Sequence, residues 1–313
     1  MKRQYKFVLK PLSFYSDVYS ADTIFGTVCW YIRYLYGEDT LISLLNEFND
    51  DVPFIISSFI PEGYIPKPLL PFQLKDSVKE IEIDKQFKSV KWIPIELFKK
   101  YQANYNQDAI SKELNVGMSK TFNPDRIDIT RNSINRMTGM VREGMLFTES
   151  YYYEDISYNV YVTEFNSKYS DIFKKSFSVA CSVGFGGDPS TGKGLFDVKL
   201  QELNEVEKNI FDYQSNYFVT LSECAGSNLD PLCYTTMTKY GKLGGEFSQK
   251  GINGRLLFNK KPIVLYEIGS SFKKSDNGFG VMLKNIHTDT RIVQYAFAYP
   301  VFFDYSGDMA ITT

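Results

Sequence analysis

The sequence predicts an α+β fold in two units, and three observations predict it. Stretches of strand-like alternation are interleaved with stretches of helical spacing over residues 1–208. A glycine-rich loop, Gly184 to Gly194, sits between one such helix and the strand that follows it. From residue 209 onward the strand pattern returns with little helix. Aromatic residues reach 16% of 313, with 23 Tyr and 25 Phe. That composition suits strand-rich cores and also surfaces that stack on nucleobases.

The elements follow in order. Tyr5, Phe7 and Leu9 alternate with Lys6 and Val8, which predicts a strand. Ile24, Phe25, Val28, Cys29, Ile32 and Leu35 repeat at helical spacing behind Ser20, a residue type that caps helices, and Gly37 is a natural stop. Leu41, Leu44, Leu45 and Phe48 predict a second short helix. Five prolines between 53 and 71 forbid a regular helix and predict an extended, packed loop. Residues 72–143 carry no clean period and predict short helices within an insertion spanning about 51–143.

Strands are expected at 145–153 and 158–164 around a turn at Asp155. A helix then carries Tyr169, Ile172, Phe173, Phe177 and Ala180 on one face, and a strand carries Phe196, Val198 and Leu200. This β-α-β-β-α-β order is that of a ferredoxin-like (RRM-like) sheet. Residues 1–208 are therefore expected to form one such domain with a long insertion, and 209–313 a degenerate second copy. A polar, acidic stretch (Glu202, Glu205, Glu207, Asp212) leads into the second unit, where a strand is expected at Tyr217 to Leu221. Asp230-Pro231 reads as a helix opening. Strands are expected at 255–258, 262–268 and 279–283. Val293 to Phe303 reads as one long alternating strand.

Composition excludes some classes of function. A net charge of −2 argues against a free-standing, non-specific nucleic-acid binder, so RNA would have to bind at local patches or with partner subunits. No run of 18 apolar residues exists, so no transmembrane helix and no membrane partner is expected. The start reads as a strand and not as a signal peptide. Cysteines 29, 181, 224 and 233 form no C-x-x-C pair, which suits reduced thiols in a cytoplasmic protein. With one histidine in the chain, a zinc site would need most of these cysteines plus His287; no metal or cofactor is expected.

The glycine loop admits three readings. Gly187 to Lys193 fits G-x-x-x-x-G-K, but Gly194 stands where a P-loop needs Ser or Thr, and the loop joins helix to strand instead of strand to helix. A second reading is a long turn that needs positive φ, though one turn rarely needs five glycines. Or it could lie along an RNA backbone. Gly186, Gly187, Gly192 and Gly194 would let phosphates approach, and Ser190, Thr191 and Lys193 would supply donors.

Two more patches suit RNA. Arg131, Asn132, Asn135 and Arg136, followed by Thr138 and Gly139, alternate cations with amides. The alternative for that run is a solvated loop. Lys239, Lys242, Lys250, Arg255, Lys260 and Lys261 face only Glu246 in a glycine-rich segment, either a mobile basic loop over RNA or a floppy surface hairpin. His287 near Asp289 is expected at the surface, and Asp22 is expected as a first-turn acid favoured by the helix dipole. Glu80, Glu82 and Asp84 read as one wet strand face.

Four ordered runs carry a family resemblance: Ala21 to Gly26; Ile55 to Phe59 with Pro61 to Pro71; Thr130 to Gly139 with Glu143 and Gly144; and the glycine loop through Phe196. Glu267 to Phe272 is a weaker fifth. Together they resemble subunit four of type III-A (Csm) CRISPR effector complexes, in the RAMP superfamily. The resemblance implies ferredoxin-like domains with the glycine loop as a hallmark. It also implies a non-catalytic subunit in antiviral defence that holds the repeat-derived 5′ tag of the guide RNA. Its implied partners are the large polymerase-like signalling subunit and the first backbone subunit. No equivalent of the aspartate with which backbone subunits cut RNA can be placed. The alternative is a RAMP-type endoribonuclease that processes the guide precursor and depends on His287.

Overall fold

The computed structural model describes residues 2–16, 19–71, 87–114, 125–135, 137–186, 191–250, 258–276 and 278–306. The fold is mixed α+β with antiparallel sheets.

The first sheet is built on β1 (Arg3–Pro11), which pairs antiparallel with both β8 (Tyr158–Glu164) and β9 (Phe196–Glu202). β8 also pairs with β2 (Phe54–Ile56) and with the two-residue β3 (Ile60–Pro61), giving the order β2-β8-β1-β9. α1 (Ala21–Tyr36) and α5 (Ser170–Val183) supply its helices, and the expected second helix, α2 (Glu38–Asp50), follows α1 with Leu44 and Phe48 buried. The β1 alternation works as read: Phe7 stacks on Phe177 of α5 with ring centroids 4.1 Å apart, and Tyr5 and Leu9 are buried beside it. α1 ends at Gly37, whose φ of +92° favours glycine. Ser20 occupies the cap position, but its hydroxyl goes to the Asp22 carboxylate instead of a backbone N–H.

The second strand of this sheet is not 145–153. It is β2, inside the proline-rich run expected to be loop. All three β2 residues are buried, so no alternation announces a strand there. The insertion therefore enters after the second strand and not before it. It holds β4 (Tyr64–Pro66), β5 (Trp92–Pro94), α3 (Ile95–Tyr101) and α4 (Gln107–Glu113), then a long hairpin of β6 (Asp125–Ile134) and β7 (Val141–Tyr153). The expected strand at 145–153 exists, but as the returning arm of this hairpin. The expected wet strand at Glu80, Glu82 and Asp84 lies outside the described residues.

After β9, the acidic stretch forms a helix, α6 (Glu205–Asp212), opened by a capping box. Asn204 Oδ1 accepts from the Glu207 N–H at 2.9 Å, and Glu207 Oε2 accepts from the Asn204 N–H at 2.9 Å. A second sheet follows in the order β11-β14-β10-β17: β10 (Tyr217–Thr220), β11 (Asp230–Cys233), β14 (Ser271–Lys273) and β17 (Pro300–Phe303). β12 (Thr236–Lys239) pairs with β13 (Ile263–Tyr266), and β15 (Gly280–Leu283) with β16 (Gln294–Phe297). A short α7 (Gly245–Lys250) separates β12 from β13.

Two expectations fail in this half. Asp230-Pro231 opens a strand, not a helix. Pro231 sits on an end strand of its sheet, and a register shift between Pro231 and Cys233 absorbs it. The segment 293–303 is two strands with different partners, since β16 pairs with β15 and β17 with β10. Of the strand expected at 255–258, residues 255–257 lie outside the described residues.

One hydrophobic core runs through both halves. Tyr295, Phe297, Tyr299, Val301 and Phe303 pack with Phe25, Phe48, Ile56 and Val162. Polar contacts reinforce it. Lys6 donates to Glu207 at 2.7 Å with both side chains almost fully buried, and Tyr161 Oη donates to the same carboxylate. The Ile56 N–H donates to Tyr295 Oη at 2.9 Å.

Candidate RNA-binding face

The glycine loop is held at its neck. The Phe185 N–H donates to the Gly194 carbonyl at 2.9 Å, and the Gly194 N–H donates to the Phe14 carbonyl at 2.7 Å. Leu195 donates to Ser13 Oγ, and Tyr19 Oη donates to the Phe185 carbonyl at 3.0 Å. Gly186, Gly192 and Gly194 all have positive φ. A Cβ on Gly194 would stand 2.0 Å from the Phe185 carbonyl oxygen, and one on Gly186 would meet Tyr19 and Ser16. A Cβ on Gly192 meets nothing within 4 Å. Gly194 and Gly186 thus serve close packing, whereas Gly192 leaves exposed backbone. Gly187 and Ser190 lie outside the described residues; Thr191 and Gly192 are exposed and Lys193 is half-buried.

Arg131 is on β6 and not in a loop. Its face of the hairpin also carries Glu149 and Tyr151 of β7. Arg131 Nη2 donates to Tyr151 Oη at 2.6 Å, and Nη1 lies 3.1 Å from Glu149 Oε2. Its guanidinium carbon is 5.4 Å from the Tyr151 ring centroid. The ammonium of Lys193 lies 3.8 Å from that centroid. The loop and the hairpin, far apart in sequence, therefore place two cations on one buried tyrosine ring. Nothing in the sequence marked Tyr151; a cross-strand register had to place it there. Backbone bonds between Tyr15 and Tyr152, 3.0 and 2.8 Å, fix the hairpin base to the segment that follows β1, and Phe14 meets Tyr153 edge to face.

Other expected contacts distribute differently. Asn132 is exposed on the opposite face of β6. Asn135 and Thr138 close the hairpin turn, their side-chain oxygens accepting from the Met137 and Met140 N–H groups. Gly139 supplies the positive φ that this turn needs. Arg136 lies outside the described residues, and of Lys250 only the helical backbone is described.

Lys242 is exposed on the segment after β12. That segment's described glycines lie close against neighbouring side chains. A Cβ on Gly241 would press on the Lys260 side chain, and one on Gly244 or Gly245 on the Trp30 indole. Phe247 meets Trp30 edge to face, and Arg33 reaches Glu246 at 3.7 Å.

A buried polar cluster lies at the start of α1. Lys239 Nζ donates to Asp22 Oδ1 and to Ser20 Oγ at 2.6 Å each, and Gln294 donates to the other Asp22 oxygen. Asp22 is thus a buried ion-pair partner and not only a first-turn acid. Ser58 donates to Glu223 Oε2 at 2.6 Å, and burial raises the Glu223 pKa above the ordinary glutamate value.

His287 is not at the surface. It is 6% exposed, and its Nδ1 accepts from the Asp289 N–H at 2.9 Å. All four cysteines are free thiols; burial pushes Cys29 up to about 12 and raises Cys181 and Cys224 further. Among the described residues, no group of three His, Cys, Asp or Glu could hold a metal ion. No helix among them is long and apolar enough to cross a membrane.

Fold and site together define an α+β, antiparallel-sheet chain with a stapled glycine loop set against an inserted hairpin. No protein-family model matches the sequence, and no curated protein matches it. Solved structures do. A chain of a Csm3-Csm4 subcomplex from the type III-A CRISPR-Cas interference complex matches with a TM-score of 0.61 and 16% identity, covering 96% of this chain and 99% of that one. A chain of a Csm1-Csm4 cassette in complex with AMPPNP matches with a TM-score of 0.59, 16% identity and 97% and 99% coverage. The same cassette with cA4 matches at 0.59 and 15%. Csm4 is the subunit that both assemblies share. The resemblance to subunit four is borne out at the level of fold over nearly the whole chain.

Proposed function

We propose that this chain is a non-catalytic RNA-binding subunit of a type III-A CRISPR effector complex, acting in the cytoplasm in antiviral defence. It holds the repeat-derived 5′ tag of the guide RNA. It docks the large polymerase-like signalling subunit and the first backbone RAMP subunit. Its two units, 1–208 and 209–313, are ferredoxin-like. The order β9-β1-β8-β2 supports this for the first unit, because chain order and neighbours follow the β-α-β-β-α-β pattern.

One observation carries the RNA reading. Lys193 and Arg131 converge on Tyr151, so two cations, Arg131 paired with Glu149 and Lys193 with no ion pair among the described residues, share one face with an open glycine backbone despite a net charge of −2. Phosphate neutralisation needs such a local cluster, and partner subunits supply the rest. Fold likeness to chains from Csm1-Csm4 and Csm3-Csm4 assemblies supports the partner assignment. The burial of His287 supports a non-catalytic role, since a general base must reach its substrate.

The test is binding of tagged against untagged guide RNA, with partner subunits present. Tagged RNA is expected to bind more tightly. Lys193→Ala is expected to weaken binding by roughly 1–2 kcal/mol and to lower the salt slope by about 1. Equal binding of both RNAs, or none, overturns the reading.

A further inference from the structure

We propose that Tyr240 is a stacking platform for a base of single-stranded RNA, with Lys242 beside it contacting the adjoining phosphate. This rests on the RNA-binding reading and extends it to a surface outside the glycine loop and the inserted hairpin.

Tyr240 follows directly after β12 and is 74% exposed. Alternation along β12 explains why. Met237 and Lys239 turn inward, and Lys239 bonds to the start of α1; Thr236, Thr238 and Tyr240 turn outward. On the paired strand, Val264 stands opposite Thr238 and is 61% exposed. The outward face of this ribbon is thus hydroxyls and an aliphatic side chain ending in an aromatic ring. Single exposed aromatics are common and by themselves carry nothing. Three further observations lift this one above that background.

The ring sits on rigid backbone. The Lys260 N–H donates to the Gly241 carbonyl at 2.8 Å, and the Leu243 N–H to the Phe258 carbonyl at 2.7 Å. Gly241 lies against the Lys260 side chain and Gly244 against Trp30. A base that stacks here does not have to order the backbone beneath the ring.

The charge at this end is one-sided. Lys242 is exposed and carries no ion pair among the described residues, and Lys261 is exposed two positions past Asn259, the bridge partner of Lys242. Glu246, the acid nearest in sequence, is engaged by Arg33. The opposite end of the ribbon differs. There Tyr234 is also exposed, but Glu267 accepts from Thr235 beside it. An anionic strand therefore fits the Tyr240 end and not the Tyr234 end. This choice also favours RNA over a protein partner.

A chain of contacts links this ribbon to the glycine loop. Lys239, the residue before Tyr240, bonds to Ser20, and Tyr19, the residue before Ser20, bonds to the neck of the glycine loop.

The test uses the full chain, alone and in the complex that copurifies with it. Two probes of equal length are titrated, a fluorescein-labelled oligouridylate and the matching abasic ribose-phosphate oligomer. Tyr240→Ala is expected to weaken oligouridylate binding about 5- to 150-fold. Tyr240→Phe is expected to keep it, and neither change is expected to alter binding of the abasic probe. Circular dichroism confirms that both variants fold. If Tyr240→Ala binds oligouridylate like wild type while Lys193→Ala does not, this inference is overturned and the RNA reading stands. If wild type binds neither probe in either form, both fall. If Tyr240→Ala loses a partner subunit but not RNA, the ring is a protein contact and the inference is overturned.

Discussion

At the scale of single residues, the glycines of the loop divide by what surrounds them. Gly194 and Gly192 share a positive φ, but only Gly194 has backbone where a Cβ would go. Gly194→Ala is expected to cost well over 2 kcal/mol, because strain and collision add. Gly192→Ala is expected to cost about 1 kcal/mol from conformation alone. Urea denaturation of the two variants measures the difference, and equal losses would contradict the packing described. Glu223 makes a pH prediction. Burial raises its folded pKa, so the folded state holds a proton more readily than the unfolded chain. Its stabilising contribution is complete below the unfolded pKa and is lost as pH rises through the raised folded value. Asp22 reinforces that direction and Lys239 opposes it. Glu223→Gln is expected to stabilise the protein at neutral pH and leave it unchanged in acid, as thermal melts across that range would show.

At the scale of elements, α6 shows how a short helix is held in place. Asn204→Ala removes one half of the capping box and is expected to cost about 1 kcal/mol. Glu207→Ala removes the other half and strands the buried Lys6 ammonium, and is expected to cost about 3–5 kcal/mol. Denaturant midpoints compare the two. This element also illustrates what sequence could and could not disclose. β1, α1 and α5 were legible because one face of each is buried and the period shows; β9 was legible from the alternation of Phe196, Val198 and Leu200 alone, since only Phe196 is buried. β2 was not, because all of its residues are buried and the period vanishes. The Asp230-Pro231 opening misled because local preference favoured a helix while pairing with β14 made a strand. The helix α6 was missed although Asn204 and Glu207 stand at capping-box spacing. At the site, the residue types were legible in Lys193 and Arg131. Their meeting point was not, since Tyr151 depends on a register between residues twenty positions apart.

At the scale of the whole molecule, the two halves share a core and are not beads on a string. Tyr295 and Phe297 of the second half stack against Phe25 and Phe48 of the first. Gln102 Nε2 donates to the Phe302 carbonyl at 2.8 Å, and Thr163 Oγ1 donates to Tyr299 Oη at 3.0 Å. Unfolding in urea is therefore expected as a single transition, with far- and near-ultraviolet circular dichroism coinciding. Two separated transitions would show that each half is stable without the other.

That shared core also sets an order of events during synthesis. The first sheet is complete in sequence once β9 has been made. Yet the apolar face of Phe25, Phe48 and Ile56 waits for residues 295–303, made about a hundred positions later. At about 5–20 residues per second the ribosome leaves that face uncovered for several seconds to tens of seconds. Through that interval the nascent chain is expected to carry an uncovered apolar face, and aggregation of chains stalled before residue 295, absent from chains released at full length, would show it.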